Sequence, residues 1–70
     1  MSQHTSLTIN GEPRDLEDVA TLADVLDRLG LDPRTVVVEH NRAIIRRPSL
    51  AVTSVSAGDQ LEIVHFVGGG

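Results

Sequence analysis

The residues with chemistry to offer are gathered at one end of the sequence. It closes on "QLEIVHFVGGG", where an alternating run gives way to Val67-Gly68-Gly69-Gly70. Catalytic residue types occur elsewhere, but in no useful spacing. Cysteine is absent, which excludes thiol nucleophiles, thiolate metal sites and disulfides. The six basic residues are all arginine. Without lysine there is no Schiff-base amine, no Gly-rich Lys-Ser/Thr phosphate loop and no acceptor for an isopeptide bond. No serine sits in a Gly-x-Ser-x-Gly elbow. His4, His40 and His65 are scattered, and the acids make no calcium-loop pattern, so no metal site is expected. His65 reads as a residue at the sheet margin with its polar tip in water.

What remains is the main-chain carboxylate of Gly70. The four residues 67–70, fully extended, reach about 13–14 Å beyond the last strand at roughly 3.3–3.6 Å per residue. Without Cβ atoms, Gly68, Gly69 and Gly70 form a bare peptide ribbon that a narrow channel in another protein can admit. A carboxylate adenylated in such a channel would be open to a sulfur or amine nucleophile from either face. The competing reading is a frayed end, because termini are where disorder concentrates. Against it, the glycines leave a well-patterned strand with no linker between.

An arm of this kind needs a rigid body behind it. Seventy residues suffice for one small domain, here 1–66 with 67–70 as its flexible tail. Without disulfides or a metal, such a domain is stable by roughly 3–5 kcal/mol. It offers little room for a deep ligand pocket, which typically needs about 300 Å³ or more, so an enzyme acting alone is not expected. The formal charge is −4 and the single aromatic residue is Phe66. That combination disfavours nucleic acid and suits a partner with a basic surface. No segment approaches the roughly 18–20 apolar residues that span a membrane. The N-terminus lacks the basic start and apolar core of a secretory signal. A cytoplasmic monomer is expected.

The chain patterns supply the body. "SLTIN" (6–10) alternates, with Leu7 and Ile9 on one face, and predicts a half-buried strand. Asn10-Gly11 is a hairpin signal, and Pro13 makes the second strand, about 12–17, an edge or irregular one. Thr21 is an N-cap with Asp24 in the first helical turn. Leu22, Val25, Leu26 and Leu29 form one apolar stripe, Gly30 ends the helix and Pro33 blocks its continuation. Asp24, Asp27 and Arg28 lie off the stripe on a solvated face. "TVVVEHN" (35–41) reads as a strand buried on both faces. A turn at Asn41-Arg42 leads to a short strand at Ile44-Ile45. Leu50 and Val55 are the expected anchors of an irregular link, and "AGD" (57–59) is a turn. The last strand, 60–67, reads as central and partly covered on both sides. One amphipathic helix on one sheet face makes an α+β domain, with a mixed four- to five-stranded sheet in β-grasp (ubiquitin-like) order. The crossover into strand 35–41 is right-handed if that strand runs parallel to the one before the helix.

Over nearly its whole length the sequence resembles the ThiS-type sulfur carriers of thiamine biosynthesis. The resemblance rests on "LTING", on "TLADVLDRLGL", on Asn41, Ile44, Ile45 and Arg47 within "VVVEHNRAIIRR", on Gly58-Asp59, and on the closing Val67 to Gly70. Arg46 stands where the family often has proline, and Leu50 where it often has tryptophan. The resemblance implies that a ubiquitin-activating-like adenylyltransferase (ThiF-like) uses ATP-Mg to adenylate Gly70. Sulfur from a cysteine desulfurase route would then leave a C-terminal thiocarboxylate, which thiazole synthase (ThiG-like) consumes. The carrier itself would bind no cofactor. By the same analogy Ile45, Val64 and Phe66 are the expected docking patch, flanked by Arg46 and Arg47. Carriers for molybdopterin, cysteine or another sulfur metabolite, and ubiquitin-like protein modifiers, share these features and stay open as alternatives.

Overall fold

The computed structural model describes residues 3–66, so the tail 67–70 and its expected flexibility lie outside the described residues. The chain opens with a hairpin of β1 (His4–Ile9) and β2 (Glu12–Glu17), paired in unbroken antiparallel register. β1 begins two residues earlier than its alternation suggests. It stops before Asn10, which has already turned into the left-handed region with Gly11 (φ 51 and 81). Two positive φ values in succession match the twist of a two-residue hairpin turn, and Asn-Gly is the pair that tolerates them best. β2 is an edge strand, as Pro13 requires.

The helix α1 (Leu22–Arg28) is short, and its ends are closely specified. Thr21 Oγ1 accepts from the Asp24 backbone N–H at 3.3 Å, and Asp24 accepts from the N–H groups of Ala20 and Thr21 at 2.8 and 3.0 Å. These bonds, that from Ala20 first, hold the Asp24 carboxyl below its ordinary range. At the other end Leu31 N–H donates to Leu26 and Gly30 N–H to Asp27, with Gly30 at φ 71. This double return of N–H groups onto the last carbonyls needs a residue at ease with positive φ.

After a 3-10 turn at Pro33–Thr35 come β3 (Val36–His40) and β4 (Ala43–Ile45). A second 3-10 segment, Arg47–Val52, precedes β5 (Gln60–His65). The sheet order is β2-β1-β5-β3-β4. β5 is central, parallel to β1 and antiparallel to β3. β3 therefore runs in the same direction as β2, the condition set for the crossover, although two strands lie between them.

The core lies between the helix and one sheet face. Leu22, Val25 and Leu26 meet Leu7, Ile9, Val36, Val38, Leu61 and Ile63, with Leu50 closing one side and Leu29 and Val55 packed at the margin. Burying each such aliphatic side chain contributes about 1.5–3 kcal/mol. The other sheet face is open, which corrects two expectations. β3 is buried on one side only, with Val36 and Val38 inward and Val37 outward. β5 is central but bare on its second face, where Glu62 and Val64 are exposed. One helix can cover only one face, and nothing else in so short a chain returns to cover the other.

Candidate functional site around the last strand

The last described strand is fixed at several points along its length. Asn10 leaves the β1 ladder at the hairpin turn, but its side chain takes over the ladder's work. Its Nδ2 donates to the Ile63 carbonyl at 3.0 Å, and its Oδ1 accepts from the Ile63 N–H at 2.7 Å. Its backbone N–H donates to the Leu61 carbonyl at 2.9 Å. An amide side chain thus extends the β1–β5 pairing beyond the two register partners of the strands themselves.

The entry to β5 is held by a second cluster. His40 Nε2 lies 2.7 Å from Asp59 Oδ2, with both side chains about 85% buried (16% and 15% exposed). Asp59 also accepts from the Ser56 N–H at 2.8 Å and from Asn41 Nδ2 at 3.2 Å. Asn41 Oδ1 in turn accepts from the Gln60 N–H at 2.9 Å. Burial acts to raise the Asp59 pKa. The bonds from His40, Ser56 and Asn41 outweigh it and hold the carboxyl below its usual range. Asn41 and Arg42 both have positive φ (49 and 75). The Asn41 side-chain bonds help fix that turn.

Past His65 the ladder continues for one more bond, from the Phe66 N–H to the Thr35 carbonyl at 3.2 Å. Val67, Gly68, Gly69 and Gly70, named as the threading arm and reactive end, lie outside the described residues.

Of the expected docking residues, Val64 and Phe66 are exposed (56% and 42%), as are Arg46 and Arg47. Ile45 is different. It pairs with Val38 on the helix side and packs against the core, so its placement on the exposed patch is corrected. Its neighbour Ile44 faces outward and is 67% exposed. Val37, opposite Val64 in the register and 42% exposed, joins the same face. The apolar part of the open face is therefore Val37, Ile44, Val64 and Phe66. Reading three successive valines as two-sided burial hid Val37, and Ile44 was hidden by the choice between adjacent isoleucines. Closing a two-residue turn at Asn41-Arg42 pairs His40 with Ala43 and hence Val38 with Ile45, which would have separated them.

Among the described residues no group of three His, Cys, Asp or Glu side chains could hold a metal ion. His40 has its acid partner, but no serine hydroxyl is hydrogen-bonded to a histidine among these residues. His4 lies 3.3 Å from Asp15 and 3.8 Å from Glu17 on the exposed hairpin. His65 is exposed beside a surface groove of about 280 Å³ that Arg14 also lines. A groove of about 360 Å³ crosses the open face. That is more room than the chain length suggested, yet it is a furrow over strand surfaces. No helix among the described residues is long and apolar enough to cross a membrane.

This small sheet, with one covered face and β5 anchored at its centre, can be set beside known proteins. The model of the ThiS family matches residues 7–70. The chain belongs to the ThiS family. The sulfur carrier protein ThiS of Bacillus subtilis is 39% identical over 54 residues, which is 77% of this chain and 82% of that protein. The crystal structure of a thiamine biosynthesis protein (ThiS) from Geobacter metallireducens superposes with a TM-score of 0.80 at 30% identity, covering 94% of this chain and all of the other. That likeness confirms the β-grasp arrangement of five strands and one main helix. A thiazole synthase from Paramagnetospirillum magneticum is 47% identical over 64 residues, 91% of this chain. The chain spans about a fifth of the length of the thiazole synthases it matches.

Proposed function

We propose that this ThiS-family chain is a sulfur carrier of thiamine biosynthesis, not itself an enzyme, whose working group is the Gly70 carboxylate. The carrying observation is that the family match runs through residue 70, directly behind a central strand bound into the sheet on both sides. In the proposed cycle an adenylyltransferase binds ATP-Mg, and a Gly70 carboxylate oxygen attacks the α-phosphate with loss of pyrophosphate. A persulfide supplied through a cysteine desulfurase displaces AMP from the acyl carbon. Cleavage of the resulting S–S bond by a thiol leaves the thiocarboxylate. Thiazole synthase then takes the sulfur.

This chain's own contribution is to present the end of β5 and to dock. The open face offers Val37, Ile44, Val64 and Phe66, with Arg46 and Arg47 nearby in sequence to steer approach. Gly69 and Gly70 would pass through the partner's channel where a side chain would not. The reading includes a cytoplasmic location, where reduced sulfur donors persist.

The test is pyrophosphate exchange on the wild-type chain and a Gly70→Ala variant, with the adenylyltransferase of the same organism. The wild type should support exchange, and the variant should fold normally and lose most of it. Equal exchange from both chains would refute the channel argument. No exchange from the wild type would refute the carrier reading.

A further inference from the structure

The open face holds an arrangement that folding alone does not favour. Glu39 in β3 and Glu62 in β5 are direct register partners. Side chains so placed have Cβ atoms about 4.5–5.5 Å apart, and like charges there are destabilising. Neither glutamate has an ion-pair partner among the described residues. Arg42 lines the same 360 Å³ groove but makes no ion pair with either. The apolar strip adjoins this acidic doublet directly. Ile44 stands opposite Glu39 on its other side, and the Val37–Val64 pair is the next outward-facing row.

Resting on the carrier reading, we propose that Glu39 and Glu62 together receive an arginine or lysine side chain of thiazole synthase when it seats on Val37, Ile44 and Val64. The apolar strip calls for a protein surface, and docking there would dry the doublet and strengthen its pull on a cation. A guanidinium has the planar fork to engage two carboxylates at once. No third metal-ligating side chain joins the pair among the described residues, which argues against a metal ion as occupant. Thiazole synthase is the chosen partner because stretches of thiazole synthase polypeptides resemble this chain over most of its length.

The test titrates thiazole synthase of the same organism with the wild-type chain and with a Glu39→Gln/Glu62→Gln variant at several salt concentrations. Melting curves of both chains are recorded alongside. The variant should melt at or above the wild-type temperature, because a repulsion has been removed. It should bind about tenfold or more weakly, as expected for a close interfacial charge pair, with a shallower salt dependence. Equal affinity and equal salt slope would overturn the proposal and leave the carrier reading intact. A variant that melts well below the wild type would make the doublet structural and also overturn it. If the wild type fails to bind the synthase at all, the proposal falls together with that partner assignment.

Discussion

The two faces of this sheet follow different rules. On the helix side, alternate residues of β1, β3 and β5 are aliphatic and buried, and the only concern is close packing. On the open side the same strands present valine and isoleucine beside a pair of facing glutamates. An apolar strip left in water and a like-charge pair both cost stability that a domain of this size has little of. The comparison suggests that one face is shaped by folding and the other by what the protein must meet.

The sharpest way to break that distinction is to truncate one residue on each face of β5. Leu61→Ala removes a fully buried side chain and should cost about 2–5 kcal/mol, enough to unfold much of the population. Chemical denaturation or circular dichroism would show it. Val64→Ala, three residues on and outward, should change stability by no more than about 0.5 kcal/mol yet weaken partner binding. A large stability loss at Val64 would mean that the open face is also part of the folding core.

An intermediate effect is expected where β5 is clamped. Asn10→Ala removes both side-chain bonds to Ile63 and leaves a part-buried N–H and carbonyl without them. The expected loss is about 1–3 kcal/mol in denaturant unfolding. A smaller change would show that β1 and β5 hold without the amide bridge.

The mildest change concerns pH at the start of β5. The folded-state pKa of Asp59 is depressed, so its unfolded form binds protons more readily. Its contribution to stability is present above the unfolded carboxylate pKa, about 3.9, and is lost as pH falls through the lower folded value. Melting temperature against pH should therefore drop less steeply below about pH 4 in Asp59→Asn than in the wild type. Parallel curves would remove Asp59 from the account.

Much of this was legible in the chain. The hairpin turn, the edge proline, the helix with Thr21 and Gly30 at its ends, and the inward Leu50 all follow from local residue chemistry. What was not legible depends on residues far apart. His40 and Asp59 are nineteen positions apart and meet only because β3 and β5 pair. Asn10 reaches Ile63 across fifty-three. The place of Val37 on the open face was not legible because a run of valines has no alternation to betray which side is covered. That Gly70 is the reactive end stays a proposal, drawn from the glycine tail and the family resemblance in a chain with neither cysteine nor lysine.

The central claim is that sulfur is loaded at Gly70. Intact-mass analysis of the C-terminal peptide, from protein isolated from its own cells while they make thiamine, tests it most directly. The account predicts a fraction heavier by the exchange of one carboxylate oxygen for sulfur, located at Gly70. A peptide found only as the plain carboxylate in such cells would contradict it.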